Sequence, residues 1–178
     1  TALPVRDRLD AGIAYVPEQN RHAVVPEYSI AENAMLGTHR SIARRGTLDP
    51  ASARSRAVSI IDDFEVRATG PDMPVGALSG GNCRKVVLGR ALGTDPRLLI
   101  AAQPTMGLDI HASSRVYSRI LGARERGAAI LLMSYDLDEV LALSDRVMVM
   151  FRGRVAGVLP REDATPERIG LLMLGARS

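Results

Sequence analysis

Three short apolar runs constrain the fold most: Ile13-Ala14-Tyr15-Val16, Leu98-Leu99-Ile100-Ala101-Ala102 and Ala129-Ile130-Leu131-Leu132-Met133. Each is strand-length and gives way to a polar or Pro-containing turn, which predicts buried β-strands. Helix-periodic stretches separate them. Ser29 is predicted to cap a helix over 31–36, with Glu32 completing a capping box and Gly37 ending it. Asp49-Pro50 opens a second helix, carrying Ala57, Ile60, Ile61 and Phe64 at helical spacing. Ser79 opens a third, running to about Thr94 before Asp95-Pro96. A fourth carries Val116, Ile120 and Leu121 and closes at Gly127; a fifth spans 137–143 behind Ser134 or Asp136. Arg146–Phe151 and Arg154–Leu159 form a predicted hairpin across Arg152-Gly153, and Thr165-Pro166-Glu167 starts a last helix. Strands alternating with helices predict an α/β fold, a parallel sheet with helices on its faces. The helical stretch 30–94 then reads as an insertion into that core.

Composition narrows the function classes. A chain of 178 residues can bury a real core in one or two domains. No run approaches the ~20 apolar residues of a membrane span, and Thr1-Ala2-Leu3-Pro4 is not the start of a signal peptide. The chain begins at Thr1 rather than Met, so it is expected to be a piece of a longer protein. Cys83 is the only cysteine, which excludes an internal disulfide and suits a reducing compartment. The net charge is +3, the charges are interspersed, and aromatics make up 3% with no Trp. A nucleic-acid surface of basic patches and stacking rings is not expected.

Two segments carry chemistry. Ser79-Gly80-Gly81-Asn82 places a hydroxyl and two side-chain-free residues at a helix start. Uncovered backbone N–H groups there, with about half a positive charge from the helix dipole, suit a phosphate oxygen. Taken alone, the same residues also describe a Gly-rich turn with an ordinary serine cap. The second segment is the exit of the Leu98–Ala102 strand into Gln103-Pro104-Thr105 and Gly107-Leu108-Asp109. Ligands of open α/β sheets bind beyond the carboxyl ends of strands. Asp109 also stands where it can cap the next helix.

In this order and spacing the motifs resemble those of the ABC-type ATPases. Leu78 to Asn82 is similar to the signature motif, with Asn82 where Gln is more usual. Leu98–Ala102 resembles the Walker B strand and Gly107-Leu108-Asp109 the D-loop. Tyr15-Val16-Pro17-Glu18 resembles the Q-loop, with Glu18 at the Gln position. Met133-Ser134-Tyr135-Asp136 resembles the switch region, with Tyr135 at the His position. Val-Pro-Glu, Ala-Ala-Gln-Pro-Thr and Leu137-Asp138-Glu139-Val140 narrow the resemblance to the second ATPase half of bacterial nucleoside and simple-sugar importers.

The resemblance implies a P-loop NTPase (RecA-like) core, truncated at its N-terminus and interrupted by an ABC α-helical subdomain. Residues 1–18 and 95–178 would belong to the core and 19–94 to the subdomain. No Walker A Gly-Lys-Ser/Thr is present, so that motif is expected upstream of Thr1. ATP and Mg2+ would be held mainly by that region and by the opposite half. Ser79, Gly80, Gly81, Asn82, Glu18 and Asp109 are the implied nucleotide-binding positions. Gln103 and Tyr135 occupy catalytic positions in degenerate form, and Ala102 replaces a metal-holding Asp, so no metal ligand is expected. An amide at 103 orients water but cannot take its proton. The expected function is to energise import of a nucleoside or simple sugar. The signature would complete the opposite ATP site, while this half's own site turns over poorly. Implied partners are the first ATPase half, transmembrane permease subunits near Glu18 and, indirectly, a substrate-binding protein, at the cytoplasmic face of the membrane. Two rivals are a soluble non-transport ABC ATPase and a structural or regulatory half without a nucleotide role.

Overall fold

The computed structural model describes residues 3–37, 43–44 and 47–175. In chain order these form α1 (Val5–Asp10), β1 (Ile13–Val16), α2 (Ile30–Met35), β2 (Ala43–Arg44), β3 (Thr47–Leu48) and α3 (Pro50–Phe64). Then follow α4 (Gly80–Leu92), β4 (Leu98–Ala102), α5 (Ile110–Glu125), β5 (Ala129–Met133), α6 (Leu137–Leu143), β6 (Arg146–Phe151), β7 (Arg154–Pro160) and α7 (Pro166–Met173). Contacts divide the chain into two units, Thr1–Leu131 and Leu132–Ser178.

The three apolar runs are strands, in the order β1-β4-β5. β1 and β4 pair in parallel, Ile13 opposite Leu98 and Val16 opposite Ala101. Alternate residues face the core: Ala14, Val16, Leu99 and Ala101 are buried, while Tyr15 is exposed. The helices start at the expected caps. Ser29 and Glu32 form a reciprocal capping box on α2, and Asp49 caps α3 ahead of Pro50. Ser79, Asp109, Asp136 and Thr165 cap α4 to α7. Such a cap contributes about 0.5–2 kcal/mol and sets where each helix starts.

α4 is the hub of the first unit. It touches β1, α2, α3 and α5, and Val86, Val87 and Leu88 are fully buried. It packs against α3 through Gly89. A Cβ on Gly89 would stand 2.7 Å from Ile60 Cγ2 and 3.1 Å from Phe64 Cδ2. Gly89 therefore sets the distance between the two helices. Gly89→Val is expected to destabilise the protein by about 1–3 kcal/mol through overpacking, although valine is the better helix former. Urea unfolding of the complete protein measures it.

The second unit is built on the predicted hairpin. β6 and β7 pair antiparallel from Arg146–Pro160 to Phe151–Arg154, with an irregularity between Val149 and Met150. Arg152 (φ 46°) and Gly153 (φ 75°) make the two-residue turn, the left-handed pair that a tight hairpin requires. Val147, Val149, Leu159, Ala164, Ile169 and Leu172 form its core.

Three elements, α1, β2 and β3, go beyond the sequence reading. α1 has only exposed side chains, so it shows no apolar periodicity. β2 and β3 form a two-residue antiparallel pairing inside the stretch expected to be helical.

Candidate functional site

Three segments of the first unit converge at the start of α4. The first is the Ser79 turn itself. Ser79 Oγ accepts from the Asn82 backbone N–H at 3.3 Å and from Asn82 Nδ2 at 3.0 Å. Asn82 Oδ1 in turn accepts from Arg67 N–H at 2.9 Å. Ser79 Oγ thus accepts twice from Asn82, and its hydroxyl proton stays available to an acceptor at this exposed position. A Cβ on Gly80 would meet no other element within 4 Å, so this side of the turn stands open. Helical geometry leaves the first N–H groups without intrahelical acceptors. The turn therefore offers a donor hydroxyl and bare amides at the positive end of a thirteen-residue helix.

The second segment is the loop after β4. A Cβ on Gly81 would lie 2.9 Å from the Gly107 carbonyl oxygen, so the loop abuts the turn through backbone alone. Gln103 sits in the left-handed region at φ 51°, directly after half-buried Ala102. Such a conformation is uncommon outside glycine, asparagine and aspartate. Gln103 O accepts from Met106 N–H at 3.1 Å, which closes the loop. Asp109 Oδ1 accepts from Ala112 N–H at 2.8 Å. That bond holds the carboxyl below its ordinary value, with Lys85 and His111 acting in the same direction.

The third segment is Pro17–Asn20. The Arg84 guanidinium, 1% exposed, donates from Nη1 to Pro17 O at 2.6 Å and from Nη2 to Glu18 O. Burial pushes Arg84 down from the ordinary arginine value, opposed by Cys83 and Glu18. Asn20 Nδ2 donates to Gly80 O at 2.8 Å.

The expected site residues thus fall into two groups. Glu18, Ser79, Gly80, Gly81 and Asn82 share this corner with Gly107, and Asp109 caps the helix that begins next to it. Gln103 opens the same loop. Tyr135 is 86% exposed and belongs to the second unit. Arg84 and Asn20 are functional candidates that sequence reasoning missed. The sequence of α4, with Asn82, Lys85 and Arg90 beside Arg84, gives no local signal that this one charge is buried.

The donor set fits an anion at the turn. It does not fit a divalent cation at the end of β4, where Ala102 offers a methyl group and Gln103 an amide. Among the described residues, no cluster of His, Cys, Asp or Glu is placed to hold a metal ion.

Comparisons with known proteins bear on the family and the fold. Residues 3–106 match the ABC transporter family. The chain is 36% identical over 177 residues to the guanosine import ATP-binding protein NupO of Bacillus subtilis, covering 98% of this chain and 35% of that protein. It is 39% identical over 164 residues to the xylose import ATP-binding protein XylG of Burkholderia ambifaria, covering 92% and 32%. The chain therefore spans about a third of the length of these relatives. A dimeric ATP-binding cassette solved in a post-hydrolysis state with ADP and Pi superposes with a TM-score of 0.74 at 23% identity, over 88% of this chain and 65% of that one. An ATP-binding subunit of an ABC transporter superposes with a TM-score of 0.73 at 21% identity, over 92% and 69%. These structures establish the fold, that of the P-loop NTPases.

Proposed function

The chain belongs to the ABC transporter family, and on that premise we propose that it forms part of an importer ATPase that energises uptake of a nucleoside or simple sugar. The observation that carries this reading is the open turn at Ser79-Gly80-Gly81. A helix start with bare amides, an exposed hydroxyl and no blocking side chain is what a terminal phosphate needs. The import roles named for the similar proteins supply the substrate class.

In this reading the turn faces ATP held by the opposite ATPase half. ATP and Mg2+ there would supply the bond that water breaks, and this chain would hold the terminal phosphate with the Ser79 hydroxyl and the first amides of α4. Glu18 marks the contact with transmembrane permease subunits, which a substrate-binding protein serves from the other side, and the protein lies at the cytoplasmic face. Residues 19–94 act as the helical subdomain, and 1–18 with 95–178 as the core.

The site next to Ala102 is degenerate in this reading. Gln103 cannot take a proton from water, and Ala102 gives a metal no oxygen. Gln103→Glu alone is therefore expected to leave ATPase activity within about twofold, because a restored general base, elsewhere worth 10²–10⁴, has no metal-bound phosphate to serve. Steady-state ATPase of the complete protein measures this; a rise of tenfold or more would show that the metal site has been misjudged. Co-purification with permease subunits tests the importer assignment. A complete protein that hydrolyses ATP yet never retains a permease would fit a soluble ATPase instead.

A further inference from the structure

The signature helix and the segment after β1 are joined by a buried tie that no motif requires. Arg84 lies one turn beyond Gly80, on the same face of α4 at i, i+4 spacing. From there its planar fork reaches two consecutive carbonyls, those of Pro17 and Glu18, sixty-seven and sixty-six residues away in sequence. Asn20, from the same segment, returns a hydrogen bond to Gly80 O at 2.8 Å. The segment Pro17–Asn20 is thus pinned at both ends of one helical turn, and the upper pin is the residue that forms the open phosphate-facing turn. Pro17 and Arg84 are buried, so water cannot substitute for the bond between them without opening the core, whereas the bond to Glu18 is part-buried and that from Asn20 is exposed. Arginine suits this role because its fork donates two bonds in fixed geometry, which a lysine ammonium does not reproduce.

We infer that Arg84 is a positioning residue that makes Pro17–Asn20 and the start of α4 one rigid body, so that a displacement imposed at Glu18 reaches Gly80. This rests on the proposed function, which places the permease at Glu18 and the phosphate at Gly80. It adds the element that transmits between them.

The test compares ATPase activity of the complete protein alone and assembled with its permease in proteoliposomes, in Arg84→Met, Arg84→Lys and Asn20→Ala. The readout is the ratio of assembled to unassembled activity. Arg84→Met keeps the stem and removes both donors, and is expected to lower the ratio by roughly 2- to 30-fold, the span of such coupling effects. Arg84→Lys should recover part of it, and Asn20→Ala should show a smaller fall. A purely structural arginine would lower melting temperature and both activities together with the ratio unmoved, and that result overturns the inference. Where Arg84→Met does not fold, Asn20→Ala decides, because the bond it removes is exposed; an unmoved ratio there overturns it equally. The two readings fail separately. If Gly80→Asp leaves the complete protein's activity intact, the functional reading fails. If Gly80→Asp abolishes activity while the Arg84→Met ratio is unmoved, only this inference fails.

Discussion

Gly80→Asp is expected to reduce ATPase activity of the complete, assembled protein by on the order of a thousandfold. Two unit charges about 4 Å apart at an effective dielectric of 20 repel by about 4 kcal/mol, and 1.4 kcal/mol is tenfold. The substitution is informative because the fold should accept it. A Cβ at Gly80 meets no other element within 4 Å, and an aspartate in the first turn favours the helix. Loss of activity with an unchanged melting temperature therefore reports on the ligand and not on folding. Gly80→Ala is the control, since it adds bulk without charge. The neighbouring glycine cannot serve, because a Cβ at Gly81 would press on the Gly107 carbonyl and move the following loop.

Asn33→Ala is expected to cost about 1–3 kcal/mol of stability, chiefly from the Val25 N–H left without its partner, since the Val25, Tyr28 and Ser29 carbonyls keep backbone N–H donors. Asn33 is fully buried. Its Nδ2 donates to Val25 O, Tyr28 O and Ser29 O at 3.0–3.1 Å, and its Oδ1 accepts from Val25 N–H at 2.9 Å. One amide therefore closes the loop between the Asn20 segment and the α2 cap. Alanine removes the side-chain partner of both Val25 backbone groups. The shift in urea midpoint measures the effect, and a loss below about 0.5 kcal/mol would show that the loop relaxes onto other partners.

How much of this was legible follows from where each signal resides. Strands and caps are local. Pro17 after Val16, Asp49 before Pro50 and the Ser29/Glu32 pair each act within a few residues, so their elements formed where expected. Asp109 was read as a cap and is one. The turn at Ser79 was legible because glycines at a helix start are costly without a purpose, about 1 kcal/mol each in a helix interior. Arg84 was not legible. A charged residue in a helix defaults to a solvated face, and its burial comes from a segment more than sixty residues away. Asn33 was hidden for the same reason: helical spacing marks its backbone, while its amide serves a loop. α1 has no buried residue to set a period.

The most direct test of the central claim is photocrosslinking of the assembled protein with an ATP analogue carrying its reactive group on the γ-phosphate, followed by peptide mapping. The account predicts label on Ser79–Asn82, lost in Gly80→Asp with folding intact. Label confined to the opposite half, with Ser79–Asn82 unmodified and activity unaffected by Gly80→Asp, would contradict it.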